Sequence, residues 1–276
     1  MNQFRIFVVV VLLCTSIVVA QHPIKFEVNI QKQTYLEGEG VDIGRCLINT
    51  SETIQQPTGS INISMHNDSR NTLIPYYGPR GNWFDAKDKK LKPQEESYRI
   101  IDLTEFFGER YCLVGNHHIL KAGEYTATLS YEEDGVLIKD TLLSFRVDVP
   151  AGEELIVLNS FIEVSKHFKG AKIYSEELRA LLDAHPQSVY NPIILNDLHT
   201  AYYILLSDSL KALECGKELI EKYPWSGKGQ FILDYLLKKL PEKTERIEYL
   251  NKIIPKASNT PMQKLLERKL KAEMDE

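Results

Sequence analysis

From Lys25 to Val149, apolar and polar residues alternate in short runs broken by turn residues, the pattern of antiparallel strands that bury one face. Phe26, Val28 and Ile30 form one run. After Glu37-Gly-Glu-Gly40, Val41, Ile43, Arg45 and Leu47 form a second. Ile61, Ile63 and Met65 predict a third strand, and Tyr98, Ile100 and Ile101 a fourth. Tyr125, Ala127, Leu129 and Tyr131 make a fifth, Glu133-Asp134-Gly135 supplies a turn, and Leu143, Phe145, Val147 and Val149 close the series. About seven such strands predict a sandwich of two sheets, each burying one face.

Beyond Pro150 the period becomes helical. Leu155, Leu158, Phe161 and Ile162 share one stripe, and Leu178, Leu181 and Leu182 continue it in the next helix. Ile194, Leu198, Ala201, Tyr202 and Leu205 mark a third helix, and Ala212, Cys215, Gly216, Leu219, Ile220 and Tyr223 a fourth. Further helices over 231–240, 244–254 and 261–274 bring the number to about seven. Leu181-Leu-Asp-Ala-His-Pro-Gln-Ser188 recurs as Leu219-Ile-Glu-Lys-Tyr-Pro-Trp-Ser226, each copy a helix end stopped by a proline. Ile253-Ile254-Pro255 is a weaker third echo. Repeated helix ends predict stacked helical hairpins, an architecture that binds partners far more often than it performs chemistry.

Two resemblances rest on these residues. Leu120-Lys-Ala-Gly-Glu-Tyr125 and the strand after it resemble the penultimate strand of immunoglobulin-like domains, which implies that the Tyr125 hydroxyl ties down a loop. Ala127 stands where antibody domains carry their second cysteine, so their inter-sheet disulfide is not implied. In the unit 191–225, Tyr203, Ala212 and Pro224 resemble the late large residue, the small residue and the terminating proline of tetratricopeptide-like repeats. The expected fold class is therefore an all-β plus all-α two-domain protein: a leader over 1–20, an immunoglobulin-like sandwich over 21–149, and a tetratricopeptide-like helical array over 150–276.

The leader reading rests on Arg5, the apolar run from Ile6 to Leu13, and the small residues Val18 and Ala20, which place cleavage before Gln21. It implies an exported protein, periplasmic, envelope-bound or extracellular, touching a membrane only if the N-terminal segment is retained. Removing Arg5 with the leader leaves 32 basic residues against 38 acidic ones, a formal charge of −6 that argues against nucleic acid as the partner.

Chemistry-bearing motifs are sparse. Cys112 precedes His117 and His118 by five and six residues, but no third group is identified to orient a catalytic base and no fourth to complete a metal site. A pair of loop histidines explains them. Ser226-Gly-Lys-Gly229 lacks the upstream glycine and following hydroxyl of a phosphate loop and reads as punctuation between helices. Cys46 and Cys112 are candidate disulfide partners in an oxidising compartment, and Cys215 lies on a core stripe as a buried thiol. Asn49, Asn62 and Asn67 stand in glycan-acceptor frames.

The expectation is a non-enzymatic interaction or scaffold protein, without cofactor, metal or catalytic residues. It would bind a protein or peptide through Tyr203 and Trp225. Two alternatives remain open: a secreted peptidase inhibitor presenting the loop Tyr76 to Trp83, and a hydrolase with an unlocated site, using scattered acids or the neighbourhood of Cys112 and His117.

Overall fold

The structure, a computed structural model, describes residues 22–78, 90–110 and 117–275. The leader, Trp83 and Cys112 lie outside them. Strands occupy the chain as far as Asp148 and helices the chain from Gly152. A three-stranded antiparallel sheet has the order β1 (Ile24–Ile30), β3 (Asp42–Asn49), β6 (Glu96–Asp102). A five-stranded sheet runs β2 (Thr34–Leu36), β10 (Val136–Asp148), β9 (Gly123–Glu133), β4 (Ser60–Asn67), β5 (Thr72–Leu73), with β2 parallel to β10 and the other pairs antiparallel. A small pair, β7 (Glu109–Arg110) and β8 (His118–Ile119), completes the strands among the described residues.

Alternation in β3 decides what each side of the three-stranded sheet buries. Ile43 and Leu47 pack with Ala127, Leu129 and Tyr131 of the five-stranded sheet in one apolar core, and the rings of Phe26 and Tyr131 meet at 5.7 Å. Cys46, pointing the other way, packs with Tyr98, Ile100 and the helices in a second core. The β9–β10 hairpin turns on Asp134 and Gly135, both at positive φ, as a two-residue turn matched to strand twist requires. Tyr125 Oη donates to the Lys121 carbonyl at 2.5 Å, so the hydroxyl ties down the stretch leading into β9.

The helices are α1 (Gly152–Lys166), α2 (Ala171–Ala184), α3 (Asn191–Thr200), α4 (Ser209–Lys222), α5 (Gln230–Lys239), α6 (Lys243–Ile253) and α7 (Pro261–Asp275). The repeated octapeptide makes the same turn twice. The residues before Pro186 and Pro224 have nearly equal dihedrals, φ −131 and ψ 62 at His185, φ −128 and ψ 52 at Tyr223. In each turn the following serine N–H bonds back to that residue's carbonyl. The two turns stack: Tyr223 Oη donates to the Pro186 carbonyl and accepts from Asn191 Nδ2 at 3.0 Å. The third echo differs, because Pro255 lies within a 3-10 turn, Ile254–Ala257, rather than beyond a helix end.

Helix α3 continues into a π-helical segment, Ala201–Leu205. The wider turn rotates the residues toward its end, so Leu205 leaves the stripe assigned to it and is exposed, while Ile194, Leu198 and Ala201 stay buried. No helix among the described residues is long and apolar enough to cross a membrane.

Candidate functional site

Helices and three-stranded sheet meet through a turn that the sequence marks only as punctuation. After the Pro224 turn the chain makes one 3-10 turn, Gly227–Gly229, with the Ser226 hydroxyl accepting from the Lys228 N–H. Glycine is required at 227: a Cβ there would lie 2.6 Å from both Asp42 Oδ1 and Ile100 Cγ2. This close approach lets Gly227 N–H donate to Asp42 Oδ2 at 2.7 Å and sends the Lys228 side chain into the junction.

There the Lys228 ammonium is buried. It lies 2.8 Å from Glu105 Oε1 and 3.2 Å from His117 Nδ1, and makes an ion-pair contact of 2.8 Å with Asp102 Oδ2. An ammonium only donates, so His117 Nδ1 accepts and Nε2 carries the proton that reaches Asp197 Oδ1 at 2.9 Å. Tyr174 Oη donates to the other oxygen of Asp197 at 2.8 Å. The line from Tyr174 through Asp197, His117 and Lys228 to Asp102 thus crosses from α2 and α3 to the sheet.

Asp102 Oδ1 also accepts from the N–H groups of Val41 and Thr104 and from the Thr104 hydroxyl. Burial pushes this carboxyl up, but Lys228 and Thr104 outweigh it and hold it below the usual aspartate range. Asp42 faces Asp102 across the β3–β6 ladder. Burial first, and the charge of Asp102 second, raise its carboxyl to about 8. Burial lowers Lys228, yet Asp102 and Glu105 outweigh it and raise the ammonium above the ordinary lysine value.

Beside this cluster a cleft of about 530 Å³ opens along the outer edge of β6. Tyr98 and Ile100 line it from the sheet, Phe106 from the following turn, and Phe231 and Leu265 from α5 and α7. Phe231 is 76% exposed, a large apolar ring left to solvent at the wall of a cleft. On the far side of Lys228 a hollow of about 30 Å³ is lined by Trp225, Pro192 and Asp42.

Comparison with known proteins adds no identity. No family model matches, and no curated protein matches. Among solved structures, a β-glucosidase from Listeria innocua in complex with glucose shares 11% identity at a TM-score of 0.25, over 45% of this chain and 16% of that one. A Bifidobacterium adolescentis GH3 β-glucosidase shares 14% at 0.22, over 54% and 21%. Neither likeness is large enough to carry a fold or an activity to this chain, which spans only a small part of those enzymes.

The residues singled out from sequence fall in different places. Trp225 sits at the junction, edge-on to Tyr223 at 5.5 Å. Tyr203 lies in the π segment, stacked on His199 at 6.0 Å and half exposed. The two are at opposite ends of the α3–α4 hairpin, separated by a helix of 14 residues, or roughly 21 Å, and do not form one groove.

Cys46 carries a free, buried thiol that faces the helices and contacts Glu96, with burial pushing it up to about 12. Its suggested partner Cys112 is outside the described residues. Cys215 is a buried thiol as expected, 3.2 Å from an Arg179 nitrogen. His117 stands in the loop just before β8 and His118 opens that strand, yet both are buried, because one completes the Lys228 cluster and the other bonds the Thr104 carbonyl. Tyr76 and Tyr77, from the loop considered for inhibition, stack on Phe106 and His118. Asn49 and Asn67 are buried and only Asn62 of the three glycan frames is exposed.

Sequence reading missed the cluster itself. Its members come from widely separated stretches of the chain, and a lysine between two glycines gives no hint of burial.

Proposed function

We propose that this chain is an exported, non-enzymatic interaction protein of the cell envelope, with an immunoglobulin-like sandwich and a tetratricopeptide-like helical array holding a ligand cleft between them. The observation that carries this reading is the open cleft along β6, walled by the exposed Phe231 ring, beside polar groups already bound to one another. The Tyr125 tie and the two stacked proline turns support the two fold assignments. A hydrolase centred on His117 fits less well: both ring nitrogens are engaged, by Lys228 and Asp197, and the ring is buried away from any substrate.

Partner recovery from the native envelope tests the reading, with Phe231→Ala, Trp225→Ala and Tyr203→Ala compared side by side. Recovery is expected to fall most for Phe231→Ala and to fall for Trp225→Ala. Recovery unchanged in all three would reject it.

A further inference from the structure

Among the described residues the strand β6 is at the edge of its sheet, with β3 as its one neighbour. Ile100 pairs in register with Gly44, yet its own N–H and C=O both turn outward, into the cleft. They are met there by one side chain. Ile100 N–H donates to Gln230 Oε1 at 2.9 Å, and Gln230 Nε2 donates to the Ile100 carbonyl at 3.2 Å. A carboxamide is chemically a peptide group without its chain, so Gln230 supplies the acceptor and the donor that one residue of a neighbouring strand would supply.

We propose that the outer edge of β6 is a strand-addition site for an extended peptide, and that Gln230 holds the place of that peptide in the free chain. This deepens the binding-protein reading and rests on it. Edge strands present ready-made rows of backbone donors and acceptors, and peptide ligands in such sites gain affinity from main-chain hydrogen bonds and specificity from alternate side chains. The cleft gives the alternation its content. Phe231 and Leu265 stand on the helix side of the edge beside the Asp234–Lys269 ion pair, so the side chains of the peptide that meet Phe231 are apolar. Gln230 is the first residue of α5 and Phe231 the second, so the plug and the apolar wall belong to one helix start. Displacing the plug costs two side-chain hydrogen bonds, which the incoming backbone replaces.

The test uses the intact chain and a phage-displayed library of random linear peptides. The proposal expects an enriched sequence with apolar residues at alternate positions. Backbone N-methylation of the selected peptide should abolish binding at every second position and be tolerated between them. Gln230→Ala, which removes the competitor, should tighten binding on the order of fivefold, and Phe231→Ala should weaken it about tenfold. The Ile100 amide should stay protected from hydrogen exchange in Gln230→Ala only when peptide is bound.

No enriched sequence, or N-methylation tolerated throughout, overturns strand addition. If N-methylation is tolerated while envelope partner recovery still depends on Phe231, strand addition falls and the binding-protein reading stands. If recovery is indifferent to the cleft variants as well, both fall.

Discussion

The three-stranded sheet has two faces with different physics. Through Ile43, Leu47 and Ile101 it joins a core shared with the five-stranded sheet, where the packing is mainly aliphatic and aromatic around the buried Arg45. Through Cys46, Tyr98 and Ile100 it joins the helices, but here the apolar contacts adjoin Asp42, Asp102, Glu105, His117 and Lys228. Burial of apolar area holds the first face, and that force has no preferred direction. Directional bonds help set the second, and a buried ion pair contributes little net stability because desolvation cancels much of its attraction. The contrast says that the first face makes the sheet and the second fixes how the helices stand against it. A fixed stance is what keeps the cleft open.

Breaking the first face should produce the largest effect. Phe26→Ala removes a ring packed on Tyr131 and should cost about 3–5 kcal/mol in the midpoint-derived stability of chemical unfolding. At the second face Lys228→Met strands Asp102 without its cation, and should cost about 3 kcal/mol at pH 7. Adding Asp102→Asn to that variant should recover part of the loss, as would not happen if the lysine acted only by filling space.

The two aspartates should pull the pH profile in opposite directions. Asp102 is held below its ordinary range, so its stabilisation is present above about pH 4, where a free aspartate is ionised, and is lost as pH falls through its folded value. Asp42 is raised to about 8, so the folded chain binds a proton that the unfolded chain has released. Its contribution is complete below about pH 4 and is lost as pH rises toward 8. Stability should therefore decline from pH 5 to 8, and Asp42→Asn should flatten that decline, read by denaturant titration at each pH. The smallest effect belongs outside both faces. Tyr203→Ala, on the exposed π segment, should change stability by no more than about 0.5 kcal/mol.

The same contrast explains which features are legible in the sequence. Alternation in β3 and the helical stripes reveal apolar faces, because burial of area repeats with the period of the backbone. The octapeptide around Pro186 and Pro224 correctly marks two equivalent turns, since proline and its neighbours act locally. The junction has no period. Lys228 meets Glu105 at a separation of 123 positions, and His117 meets Asp197 at a separation of 80. Nothing local to any of these residues distinguishes it from a solvated charge. Leu205 departs from its stripe for a related reason: a single π turn interrupts the helical period without altering composition.

Amide hydrogen exchange of the intact chain with and without Lys228→Met tests most directly whether the junction sets the stance of the helices. The Ile100 amide, held by Gln230 across the junction, should lose protection in the variant, while Leu47 and Leu129 in the strand ladders keep theirs. An equal loss at all three, or none at Ile100, would contradict the account.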